Sequence, residues 1–165
     1  MDSSVVTTSP GTTPRLHHRH HEIDLSRNQF SEFPEEHQLL SSAQCRTNTF
    51  SLQLHHNDIG FLPPIIGSFT SLVILDVSNN NLSHIAEEIS ALHSLETLVA
   101  KNNCLDNDSL PKTFDQLHSL SAVNFGGNNF TEFPPQLVHL PKVNTLLLGS
   151  NKIRMVPDTI DQMQR

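Results

Sequence analysis

Asparagine recurs along this chain at Asn28, Asn57, Asn80, Asn103, Asn128 and Asn151, at intervals of 29, 23, 23, 25 and 23 residues. A period of that size constrains the fold more than any other feature. Each unit is one supersecondary element too small to bury its own apolar face, so successive units must stack into a continuous core. The surroundings of the asparagines repeat as well. LVILDVSNNNL from Leu72, LETLVAKNNCL from Leu95, LSAVNFGGNNF from Leu120 and VNTLLLGSNKI from Val143 share one form, L-x-x-L-x-L-x-x-N-x-L.

Each position in that form has a physical reading. Leu75 with Val77, and Leu146 with Leu148, alternate with polar or small neighbours, which marks a short strand with one buried face. The recurrent Asn follows the strand where the chain turns inward. Its amide can bond backbone groups that the turn leaves unpaired, and losing it would cost about 1–3 kcal/mol. The next apolar residue (Ile59, Leu82, Leu105, Phe130, Ile153) points back into the core, and Leu62, Ile85, Leu110, Phe133 and Val156 do so on the returning arm. Pro63, Pro111, Pro134 and Pro157 follow them and disfavour a long helix. Ile89 with Leu92, Leu137 with Leu140 and Ile160 with Met163 are three apart, the spacing of a helical or 3-10 turn on the outer side.

With six consecutive matches over about residues 20–165, the chain resembles the leucine-rich-repeat family. The resemblance implies an α/β right-handed solenoid of about six repeats. A parallel sheet of very short strands would line the concave side, with an irregular, 3-10 or helical convex side. ILDVSNNNL at Ile74–Leu82, TLVAKNNCL at Thr97–Leu105 and LPK at Leu110–Lys112 are similar to a vertebrate intracellular subgroup of that family. Its members have more repeats and a long cysteine-bearing C-terminal extension, so the resemblance implies a chain shortened at that end. Two irregularities stand out. About six extra residues near Ser41–Arg46 predict a convex bulge or a longer helix, and two extra residues lie around Asp106–Ser109. Residues 1–19, rich in Ser, Thr, Pro and His without periodicity, read as a disordered tail before a repeat domain at 20–165.

Composition limits the functions available. The formal charge of −7, with His neutral, argues against nucleic acid or an anionic membrane as partner, because either needs a basic face. No signal-peptide core or membrane-length apolar run is present, and Cys45 and Cys104 are far apart, so a cytoplasmic protein with two free thiols is expected. No phosphate-binding loop, nucleophile elbow or HExxH motif occurs. The chain reads as non-catalytic and without a cofactor. His17, His18, His20 and His21, with His55 and His56 one strand away, could in principle hold Zn²⁺ or Cu²⁺. No Cys or carboxylate is spaced to complete such a site, and the run reads as a solvated tail without a metal.

The outward strand positions of the concave face are the candidate binding surface for a protein partner. They include Asp24, Gln53, Ile74, Asp76, Thr97, Val99, Asn124, Thr145 and Leu147, with His55 and Lys101 at the adjoining turns. Ile74, Val99 and Leu147 supply an aliphatic stripe ringed by polar residues, the composition of a binding hot spot. The expected function is a scaffold or adaptor, or alternatively a regulatory subunit that binds a small GTPase, kinase or phosphatase. A monomer is expected unless the open C-terminal edge pairs.

Overall fold

The computed structural model describes residues 4–7 and 21–154. Nine strands are present there: β1 (Ser4–Thr7), β2 (His21–Asp24), β3 (Thr49–Gln53), β4 (Phe61–Leu62), β5 (Ile74–Asp76), β6 (His84–Ile85), β7 (Thr97–Val99), β8 (Ala122–Asn124) and β9 (Thr145–Leu147). Seven form one all-parallel sheet in the order β1-β2-β3-β5-β7-β8-β9, so strands neighbour one another repeat by repeat. The α/β parallel solenoid expected from the period is the fold observed. β1 pairs with β2, so the four described residues of the expected disordered tail carry strand structure, while residues 8–20 lie outside the described set.

The strands are short because only two or three positions per repeat alternate before the turn. The central residues Ile23, Leu52, Leu75, Leu98 and Val123 are in register across the sheet and all are buried. The residues after the ladder asparagines (Ile59, Leu82, Leu105, Phe130) and those of the returning arm (Leu62, Ile85, Leu110, Phe133) complete one continuous core. Ile153 is only partly buried against it. Val156, Pro157, Ile160 and Met163 lie outside the described residues.

On the far side, 3-10 helices at Pro64–Ser68, Glu87–Ala91, Lys112–Gln116 and Pro135–Leu137 follow the returning arm. Pro63, Pro111 and Pro134 stand just before three of them in extended conformation, where a missing N–H costs nothing. Ile89 with Leu92, and Leu137 with Leu140, bury the inner face of these turns. The turns pass closely: a Cβ on Gly67 would lie 2.9 Å from the Glu88 carbonyl oxygen. The extra residues of the long first repeat form an α-helix, α1 (Ala43–Thr47), that buries none of its residues and is capped by Ser42 Oγ, which accepts from Cys45 N at 3.0 Å. The length is also absorbed in the sheet, where the β2–β3 register slips between His21 and Glu22. Asp106–Ser109 closes on itself: Asp106 N donates to Ser109 Oγ, and Asp108 N donates to Asp106 Oδ1, at 2.7 and 2.9 Å. A second, two-stranded sheet, β4 with β6, lies on the returning arm.

Candidate protein-binding face

Six turns that end strands of the large sheet place a left-handed residue at the same point. The residue before each recurrent asparagine is left-handed: Arg27, His56, Asn79, Asn102, Gly127 and Ser150 have φ of 58, 59, 55, 58, 69 and 59°. Only one is glycine. A Cβ on Gly127 would displace the Asn102 side-chain amide. Asn is the residue that tolerates this conformation best after glycine. Asn102 Nδ2 donates to Asn79 Oδ1 at 3.1 Å, which ties two such turns together.

The left-handed residue turns the next side chain inward. Asn103 Oδ1 accepts from Leu82 N at 2.9 Å, and its Nδ2 donates to Val77 O and Ala100 O at 3.0 and 3.1 Å. Asn57, Asn80, Asn128 and Asn151 make the equivalent bonds. Each Asn reaches the carbonyl of its own strand and that of the preceding repeat. Leu54 O, Val77 O, Ala100 O and Phe125 O therefore each accept from two consecutive asparagines. Asn28, expected as the first rung, is not one. It is exposed; among the described residues its side-chain amide donates only to Ser26 O, two residues away, while its backbone N–H donates to Asn57 Oδ1 at 2.9 Å. The Leu25 carbonyl it would share is instead bonded by Asn57, and among the described residues no carbonyl of an earlier repeat accepts from Asn28.

The ladder fixes which side chains face outward. Strand register arranges them in two rows. One is Ser51, Ile74, Thr97, Ala122 and Thr145, and the other is Asp24, Gln53, Asp76, Val99, Asn124 and Leu147. The expected Ile74–Val99–Leu147 stripe is thus divided. Val99 and Leu147 flank Asn124 in one row, while Ile74 stands beside Thr97 in the other. Leu147 is 50% exposed, and Val99 and Ile74 are half-buried. Ser51 faces outward yet is buried, with Gln53 Nε2 donating to its Oγ at 3.1 Å.

Three nominated residues also hold the turn. Asp24 Oδ1, Asp76 Oδ1 and Asn124 Oδ1 each accept the N–H two residues on, at 3.0 Å. Repetition of an Asx residue at the strand end was the available signal for this role. Burial pushes the Asp24 carboxyl up, but hydrogen bonds from the Ser26 hydroxyl and N–H, with His55 and Arg27 nearby, outweigh it and hold the pKa below the ordinary value. His55 Nδ1 and His56 Nδ1 are 2.8 Å apart, within hydrogen-bond distance. Desolvation, the Arg27 charge and His55 lower the His56 pKa against the opposing pull of Asp76. His21 sits at the start of β2, paired with Thr49 at the start of β3, whereas His55 follows the end of β3. Six residues of extended chain, about 20 Å, separate them, so His21 does not converge on the His55–His56 pair. Among the described residues no three His, Cys, Asp or Glu side chains are grouped to hold a metal ion, and no helix is long and apolar enough to cross a membrane.

The Leucine Rich Repeat family model matches residues 71–92. Leucine-rich repeat-containing protein 58 of Xenopus tropicalis is 46% identical over 101 residues, which are 61% of this chain and 29% of that protein. Its human counterpart is 45% identical over 94 residues, 54% of this chain and 25% of that protein. The chain thus spans under a third of the length of these curated relatives. A solved leucine-rich-repeat protein of Leptospira interrogans superposes with a TM-score of 0.75 and 32% identity, covering 86% of this chain and 34% of that one. Six strand-turn-Asn units in register, a shared amide ladder and these likenesses agree: the chain is built of leucine-rich repeats and folds as a leucine-rich-repeat solenoid.

Proposed function

We propose that the chain is a non-catalytic protein-interaction module, a scaffold or adaptor that docks a partner on the outward face of its sheet. Leucine-rich-repeat arrays generally mediate protein–protein interaction, and repeat stacking gives them extended binding faces. The observation that carries the reading here is Leu147, 50% exposed in the same register row as Val99. The exposed Leu147 and the half-buried Val99, set among Asn124, Thr97 and Asp76, have the anatomy of a hot spot with a polar surround. Seven strands at the usual spacing give a face about 29 Å long, ample for a standard interface. Nucleic acid and anionic membrane fit poorly, since Asp24 and Asp76 stand in that row and the chain is acidic. The free Cys45 and the exposed, free Cys104 suit a reducing cytoplasm.

The test is affinity capture from cells with mass spectrometry, comparing the wild-type chain with a Val99→Arg/Leu147→Arg variant of matched circular dichroism. Loss of a hot-spot pair lowers partner affinity about thirtyfold or more, so specific partners should vanish from the variant. Equal recovery on both chains would refute docking at this face.

A further inference from the structure

Two large apolar side chains are strongly exposed among the described residues, Leu147 at 50% and Phe61 at 47%. Phe61 is not on the binding face. It belongs to β4, on the returning arm, and it borders a cleft between the first and second repeats.

The later repeats are joined along this arm. Ser83 N donates to Gly60 O and Ala86 N to Leu62 O, at 3.0 and 2.9 Å. Ile85 N donates to Ser109 O at 3.1 Å, and Arg154 N to Thr131 O at 3.2 Å. Between the first two repeats the joining stops at Asp58 N to Phe30 O, 2.8 Å. Beyond it, among the described residues, no backbone bond connects residues 31–35 with residues 60–62. The edge of β4 that faces the first repeat is therefore open, and a cavity of about 230 Å³ occupies the gap. Glu32 and Glu35 stand on one wall, Phe61 and Pro63 on the other, and the buried Phe33 closes the base against Phe69, with ring centroids 6.0 Å apart. Glu32, Glu35 and Phe61 are exposed, and neither carboxylate has a basic side chain within ion-pair distance among the described residues.

We infer that this cleft is a second docking site, distinct from the sheet face, for an extended segment of a partner polypeptide that carries arginine or lysine beside an aliphatic or aromatic residue. The cleft shares Ser31, Glu32, Phe33 and Glu35 with a wider, shallower hollow of about 740 Å³ lined by residues 30–37, an open trough that admits side chains of an extended segment. The apolar side chain seats against Phe61 and Phe33. The cation answers Glu32 and Glu35, two carboxylates at the mouth with no basic side chain in ion-pair reach among the described residues. The open edge of β4 offers backbone groups to an extended chain, the mode in which main-chain bonds give affinity and side-chain pockets give selectivity.

The experiment is selection of a phage-displayed library of random short peptides on the immobilised full chain, followed by fluorescence anisotropy of the selected peptides made with a dye. Selected sequences should place Arg or Lys next to Leu, Ile or Phe. Their affinity should fall about tenfold or more on Glu32→Lys/Glu35→Lys and on Phe61→Ser, and should weaken with added salt. All three substitutions change exposed side chains, so folding is preserved, as circular dichroism would check. The Val99→Arg/Leu147→Arg variant should bind these peptides as the wild type does, which separates this site from the sheet face. Selection without enrichment of basic residues, or affinities unmoved by the Glu32, Glu35 and Phe61 substitutions, would overturn the assignment.

Discussion

Asn103→Ala should destabilise the solenoid by about 2–3 kcal/mol in urea denaturation, because it strands one buried donor and weakens two acceptors. The Leu82 N–H has no partner besides Asn103 Oδ1, whereas Val77 O and Ala100 O each keep a second asparagine, Asn80 and Asn128. That sharing makes a sharper expectation. Asn80→Ala with Asn103→Ala removes both donors from the Val77 carbonyl, so the double variant should lose about 1–2 kcal/mol more than the sum of the singles. Asn57 and Asn103 have no carbonyl in common, and their effects should add. Asn28→Ala, at the exposed end, should change stability by no more than about 0.5 kcal/mol. Coupling of equal size in both pairs would mean that the ladder is a row of independent turns and not a shared network.

A second large effect is expected at Phe125. Its ring packs between Phe114 and Phe130, with centroids 6.2 and 5.7 Å away, and it is fully buried. On one side its neighbour in the strand stack is Ala100, also fully buried, since the bond from Ala100 N to Asn124 O continues the β7–β8 pairing. A large residue fills the space that a small one leaves. Phe125→Ala should therefore cost about 3–5 kcal/mol, toward the upper end, because Ala100 cannot collapse into the cavity. Adding Ala100→Leu to that variant should recover part of the loss, measured by the same denaturation. A loss under about 1 kcal/mol would mean that the fourth and fifth repeats are loosely packed.

Much of this was legible in the chain. Period-2 alternation around Leu75 and Val77 named the buried row, and the Asn spacing named the turn. Proline placement argued against long helices, and the three-residue apolar spacing of Ile89 with Leu92 gave a helical or 3-10 turn, which is 3-10 in the structure. The rest depended on relations between repeats that a single repeat does not contain. Asn28 has the right neighbours in sequence, but among the described residues no carbonyl of an earlier repeat accepts from it. The left-handed residue before each asparagine is Arg, His, Asn, Gly or Ser, so residue type did not announce it. Ile74, Val99 and Leu147 looked like one stripe because each faces outward. Which row each occupies is set by cross-strand register, which places Ile74 opposite Thr97 and Val99 opposite Asp76 and Asn124. The extra residues of the first repeat suggested a bulge or a longer helix near Ser41–Arg46, and a short helix is what forms there. They are taken up by α1 and a register slip, and the gap between the first two repeats appears elsewhere, beside Phe61.

Docking on the outward sheet face is tested most directly by photo-crosslinking in cells, with a benzophenone amino acid placed singly at Thr97 on the face or at the exposed Glu87 on the opposite side. The account predicts a discrete crosslinked partner from position 97, absent from position 87 and lost when Val99→Arg/Leu147→Arg is added. The same partner captured from position 87 and not from position 97 would contradict it.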